Sequence, residues 1–203
     1  WSLVLHKYTA LDDVVYGVIV SGRPDDLPNI EQRVGMFINT LPLRSIFKGE
    51  LSIVDWLNDL QLQQVQSRKY QFTPLLEIVE CIGQKADLFD TLFVFENYPV
   101  NAVLAATEWS LKVENTSLSE HNNYPLTLQI SASDTIEAAF NFNASLIDFE
   151  KIERLKNHFD LVLNQVLTKS HLSEIEILTQ ADQAQLNTFN NTDKHYPTNQ
   201  TVL

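Results

Sequence analysis

Apolar positions along the chain change period several times, and each change predicts an element. Leu3, Val4 and Leu5 stand beside His6, Lys7 and Tyr8 with no N-cap ahead of them, so Trp1–Ala10 reads as the end of a helix. Val14, Val15, Tyr16, Val18, Ile19 and Val20 form a β-branched and aromatic run of strand length. Ser21-Gly22-Arg23-Pro24 stops it, because Gly22 can take φ > 0 and Pro24 lacks an N–H. A helical turn near Ile30–Val34 and a returning strand at Leu41–Phe47 follow. Leu51–Tyr70 reads as a helix capped by Ser52, with Asp55 in its first turn. Its apolar face carries Ile53, Trp56, Leu57 and Leu60, and its run of glutamines reads as a solvated face. Thr73-Pro74 opens another helix, with Thr73 as N-cap and Pro74 at the first helical position. Leu75, Leu76, Ile78 and Val79 are expected to pack inward, and Gly83 to stop the helix.

The second half alternates more clearly. Leu88–Glu96 reads as a buried strand ended by Asn97-Tyr98-Pro99, Asn101–Ala106 as a connector and Trp109–Glu114 as a half-exposed strand. Leu126, Leu128 and Ile130 alternate with polar residues, and Ile136, Ala138, Phe140 and Phe142 share a face beyond a turn at Ser133-Asp134. The pair predicts a hairpin with one wet side. Asp148 is expected to cap a long helix with a stripe of Phe149, Ile152, Leu155, Phe159, Val162, Leu163 and Val166, and Glu150 is spaced to pair with Arg154. From Leu172 the pattern weakens toward loop chemistry, with a short helix at Leu178–Leu186 capped by Thr179. Strands and helices interleave, so the fold class is α/β, a mixed β-sheet flanked by helices.

Composition narrows the function. The 203 residues carry a formal charge of −12, and no basic cluster supplies phosphate contacts, so neither nucleic acid nor an anionic membrane is an expected partner. No apolar run reaches spanning length. Cys81 is alone, which excludes an internal disulfide and fits a reducing, cytoplasmic setting. There is no signal-peptide pattern, and the start at Trp1 inside a periodic segment reads as a piece of something larger. No Cys/His spacing suggests zinc, no Gly-rich loop suggests a phosphate cradle, and Ser21 lacks the glycine of a nucleophile elbow. His6 has no second ligand-type residue one turn on, and Asp12 and Asp13 read as a solvated turn.

Two ordered blocks carry a family resemblance. DVVYGVIVSGRP followed by VGMFINTLPLR resembles the fifth core motif region of the condensation domains of non-ribosomal peptide synthetases, and FDTLFVFENYP and NNYPLTLQI also resemble that family. The likeness runs from Trp1 to about His171, read as the C-terminal lobe of a condensation domain. Residues 172–203, with ILTQADQAQLNTFNNTDKHYP, resemble the linker and start of an adenylation domain.

The resemblance implies one lobe of a chloramphenicol acetyltransferase-like, two-lobed fold. A tunnel between the lobes would admit the 4'-phosphopantetheine arms of peptidyl carrier domains. It implies amide-bond formation in secondary metabolite biosynthesis, in which an aminoacyl amine attacks an acyl or peptidyl thioester. The family's catalytic His-His-x-x-x-Asp-Gly motif belongs to the N-terminal lobe, and this sequence has neither a His-His nor an Asp-Gly pair. No catalytic residue and no covalently bound cofactor are therefore assigned, and the chain is expected to be inactive alone. A floor loop is expected around Ser21–Pro24 and a latch within Tyr98–Tyr124. The tunnel candidates are Ser21, Gly22, Arg23, Asn39, Thr40 and Arg44. Asn39 can both donate and accept toward a thioester or amine, or can satisfy nearby backbone groups. Arg23 and Arg44 can meet phosphate, or Arg23 can pair with Asp25 or Asp26. Expected partners are the N-terminal lobe, carrier domains and an adjacent adenylation domain. Two other readings stay open: an epimerisation or cyclisation relative, and a non-catalytic docking lobe.

Overall fold

A computed structural model describes residues 1–23, 27–47, 50–83, 87–96, 123–132 and 135–193. Its elements in chain order are α1 (Ser2–Thr9), β1 (Asp13–Val20), β2 (Asn39–Ile46), α2 (Ile53–Ser67), α3 (Leu75–Ile82), β3 (Thr91–Glu96), β4 (Leu126–Ala132), β5 (Ile136–Phe142), α4 (Phe149–Val166) and α5 (Gln180–Asn190). The five described strands form one sheet in the order β2-β1-β3-β4-β5. The inner pairs β1–β3 and β3–β4 are parallel and the outer pairs antiparallel, which makes the sheet mixed. Parallel neighbours need long crossovers, and the one from β1 to β3 carries β2, α2 and α3.

Register decides which side chains meet. Val14, Tyr16 and Val18 lie opposite Ser45, Leu43 and Leu41, and Phe93 lies beside Leu128, which faces Phe140. That face receives the helices. Leu3 and Val4 of α1, Ile53 and Trp56 of α2, and Ile152, Leu155 and Val162 of α4 close one apolar cluster on Val14 and Leu126. Two polar ties run through it: Trp56 Nε1 donates to the buried Ser45 Oγ at 3.1 Å, and the Tyr16 hydroxyl meets Ser2 Oγ at 3.0 Å. Such ties remove the cost of burying their polar atoms. On the other face Gln129 donates to Glu96 at 2.8 Å and accepts from Asn141 at 3.0 Å. This polar ladder is the wet side of the hairpin.

Several expectations are corrected. Nothing on α3 is fully buried and Leu76 is 69% exposed, because this short helix lies against edge strand β2 with no described element closing over it. It begins at Leu75, with Pro74 at the N-cap, and the Thr73 carbonyl accepts from Asn39. On α4, Phe149 and Leu163 are exposed, and Asp148 occupies the N-cap but pairs with Lys151 at 2.8 Å instead of capping an N–H. Arg154 turns from Glu150 toward Asp182 and Gln185. At the far end of β5, Ile136 is 77% exposed, whereas Phe140 meets Phe159 edge-on.

The segment after Lys169 is more ordered than its pattern suggests. Leu172 and Ile175 lie in the main core, Ile175 at 1% exposure, and burying such a side chain stabilises by about 1.5–3 kcal/mol. Ile53 N donates to Ser170 O and Leu172 N to Leu51 O, which ties this segment to the start of α2. The expected strand at Trp109–Glu114, the Asn101–Ala106 connector, the Ser133-Asp134 turn and the latch stretch before Asn123 lie outside the described residues.

Candidate functional site

The site begins where β1 ends. Gly22 has φ +62°, and a Cβ there would fall on the Phe37 carbonyl oxygen, so the turn admits only glycine. Arg23 then folds back over the loop between the strands. Its guanidinium lies 4.5 Å from the Phe37 ring centroid and donates to Ile30 O at 2.5 Å and to Arg33 O at 3.1 Å. Stacking together with two carbonyl bonds makes Arg23 the organiser of its own loop. Pro24, Asp25 and Asp26 lie outside the described residues, so the alternative pairing does not enter. Ser21 is exposed, and its Oγ accepts from Arg23 N at 3.4 Å.

Asn39 opens β2 opposite Val20. Its Nδ2 donates to Gln71 O at 3.0 Å and to Thr73 O at 2.8 Å. The amide thereby bolts the α2–α3 connection onto β2 and leaves Oδ1 as its acceptor. Thr40 lies opposite Ile19 on the other face of the sheet, because strand side chains alternate. Arg44 makes a two-pronged pair with Asp13, Nε to Oδ1 at 2.8 Å and Nη2 to Oδ2 at 2.6 Å. Asp13 is therefore an ion-pair partner rather than part of a solvated turn.

A cleft of about 650 Å³ opens between the sheet and the end of α2. Its floor is apolar, from Val18, Val20, Leu41, Leu43, Phe93 and Phe95, and its far side is polar, from Gln63, Gln64, Ser67, Arg68 and Gln71. Ser21, Arg23 and Arg44 reach it, whereas Asn39 and Thr40 do not line it. The polar side escaped the sequence reading, which took the glutamines for a solvated surface. Its trace in the sequence is the uncharged run Gln61–Gln66 ahead of Arg68-Lys69, which does not by itself point to a cleft. Among the described residues Arg68 makes no side-chain hydrogen bond or ion pair.

Among the described residues that line the cleft there is no His, Asp, Glu, Cys or Lys. A general base needs such a group within hydrogen-bond reach. The described histidines are engaged elsewhere. His6 stacks on Phe47 at 4.3 Å and bonds Leu11 O, His158 is buried between Tyr8 and Asp182, and His171 lies at the turn before Leu172–Glu174, outside the cleft lining, where its backbone N–H donates to Glu174 at 3.1 Å. No three His, Cys, Asp or Glu side chains converge as metal donors among the described residues.

Comparison with known proteins decides the family. A sequence model of the Condensation domain matches residues 1–187. The chain belongs to the condensation-domain family. It is 35% identical over 202 residues to a linear gramicidin synthase of Brevibacillus parabrevis, an alignment covering 97% of this chain and 4% of that protein. It is 33% identical over 192 residues to tyrocidine synthase 2 of the same organism, covering 92% of this chain and 5% of the relative. The chain therefore spans a small fraction of these relatives. Among solved structures, a holo four-domain nonribosomal peptide synthetase, AB3403, bound to AMP and glycine superposes with TM-score 0.74 at 17% identity, over 90% of this chain and 15% of that one. The starter condensation domain of rhizomide synthetase RzmA gives TM-score 0.62 at 18% identity, with 88% of this chain matched to 42% of that domain's chain. The fold is that of one lobe of a condensation domain, chloramphenicol acetyltransferase-like in its mixed sheet and flanking helices.

Proposed function

We propose that this lobe forms one side of the tunnel in which a condensation domain joins a carrier-bound acyl or peptidyl thioester to the amine of a carrier-bound aminoacyl thioester. The observation that carries the proposal is the cleft itself. It is open, apolar below and neutral-polar above, with no proton-handling group among its described lining residues. A cleft of that make-up can position substrate but does not take a proton. The family resemblance assigns the base to a His-His motif of the N-terminal lobe, a motif this sequence does not contain.

In this reading the apolar floor lies along a pantetheine arm and the Gln63, Gln64 and Gln71 amides meet its amide groups. Arg68, whose charge is paired with no described residue, takes the phosphate of 4'-phosphopantetheine. The arms belong to carrier domains, and nothing is attached covalently to this chain. In this reading residues 1–171 are the condensation lobe and residues 172–203 lead into an adenylation domain, with Leu172 and Ile175 of that segment packed into the lobe's core. The partners are the N-terminal lobe, two carriers and that adenylation domain, in a cytoplasmic assembly. Asn39 positions the cleft's polar side from behind. In the protein carrying both lobes, Ser67→Trp should fill the cleft and lower condensation between loaded carriers about tenfold or more with the melting temperature unchanged. An unchanged rate would place the tunnel elsewhere and favour a docking role for this lobe.

A further inference from the structure

Helix α5 buries no side chain, and Leu186 and Phe189 on it are 45% and 65% exposed. Apolar burial therefore contributes little to holding it on the lobe. Its first turn instead carries a polar joint that spans three helices. The Tyr8 hydroxyl from α1 meets His158 Nδ1 of α4 at 2.8 Å, and His158 Nε2 meets Asp182 Oδ2 of α5 at 2.8 Å. A carboxylate only accepts, so Nε2 carries the hydrogen, and in the neutral ring Nδ1 accepts from Tyr8. The side chains of His158 and Asp182 are 7% and 13% exposed. Asp182 also accepts from Thr179 N at 2.9 Å and from the Thr179 hydroxyl, while Arg154 stands 3.6 Å from its other oxygen and donates to Gln185 at 3.3 Å.

Just upstream the chain is pinned by other means. Leu172 and Ile175 are in the core, and the Gln165 amide bonds both the N–H and the carbonyl of Glu176, at 2.9 and 2.8 Å. Only Ile177 and Leu178 lie between that anchor and the cap at Thr179.

We infer that α5 is a releasable strap, latched to the lobe through the Tyr8–His158–Asp182 joint and free to swing on Ile177–Leu178 when the joint opens, while the lobe stays folded. Eleven helical residues span about 16 Å, so a swing carries the chain beyond Asn190 through a distance of that order. The strap thus sets where the following segment starts relative to the cleft. Its latch is a hydrogen-bonded carboxylate and not an apolar face, so local opening separates from global unfolding.

The test is hydrogen exchange on the full-length protein that carries this chain, comparing wild type with His158→Phe and Asp182→Asn. Both variants should speed exchange across 180–190 about tenfold to a hundredfold, with α4 and β4 as protected as in wild type. His158→Phe leaves the Thr179–Asp182 cap whole, so it isolates the latch. If only Asp182→Asn loosens α5, the helix is held by its own cap and the inference fails. It also fails if neither variant changes α5, or if α4 loses protection together with it.

Discussion

At the scale of single residues, the turn after β1 rests on Gly22. With φ +62° and the Phe37 carbonyl where a side chain would go, Gly22→Ala should lower the unfolding free energy by about 2 kcal/mol or more, read from the denaturant midpoint. Ser45→Ala strands the buried Trp56 N–H and should cost about 1–3 kcal/mol, with a changed tryptophan emission marking the site. The glycine was legible in the sequence, because a β-branched run ending in Ser-Gly-Arg-Pro needs a chain reversal there. The partners of Asn39 were not. Gln71 and Thr73 lie 32 and 34 residues away, and they are held through backbone carbonyls that carry no sequence signature. The same holds for Arg44 and Asp13, brought together by strand register across a separation of 31 residues.

At the scale of elements, helices with one strong stripe were readable and those held by other means were not. Ser52 caps α2 as its position suggests, with Asp55 N donating to its Oγ, and Ser52→Ala should lower stability by about 1 kcal/mol. The segment leading to α5 looked loop-like because its anchors, Leu172 and Ile175, sit in a single tight turn that no periodicity window detects. The Asp182 joint gives that region a pH signature. Hydrogen bonds from Thr179 and His158 hold the Asp182 carboxyl at about 2 against an ordinary 3.8. A carboxyl lowered on folding stabilises fully above its unfolded value, and the contribution fades as pH falls from 3.8 through about 2. The stability gap between wild type and Asp182→Asn should therefore be largest near neutrality and close across that acid range in pH-dependent denaturant titrations. A gap independent of pH would show that Asp182 is not the group responsible.

At the scale of the whole molecule, the described residues build one apolar core and an open cleft with no proton-handling group among its described lining residues. The absence of a His-His pair could be read directly from the sequence. The polar side of the cleft could not, because only the fold brings the end of α2 over the exposed ends of β1 and β3. The loop before β2 leaves Val34 and Met36 bare and Ile38 67% exposed, apolar surface that a companion lobe would cover. In the two-lobed protein, Arg68→Ala should raise the KM for loaded carrier several-fold, by about 1 kcal/mol, with little change in kcat. Equal losses in kcat and kcat/KM would instead place Arg68 at the reacting atoms. The most direct measurement is amide formation between two loaded carrier domains, assayed with this lobe alone, with the N-terminal lobe alone, and with both in one chain. Product is expected only where both lobes are present; turnover by this lobe alone, at a rate near that of the two-lobed protein, would contradict a base supplied from the other lobe.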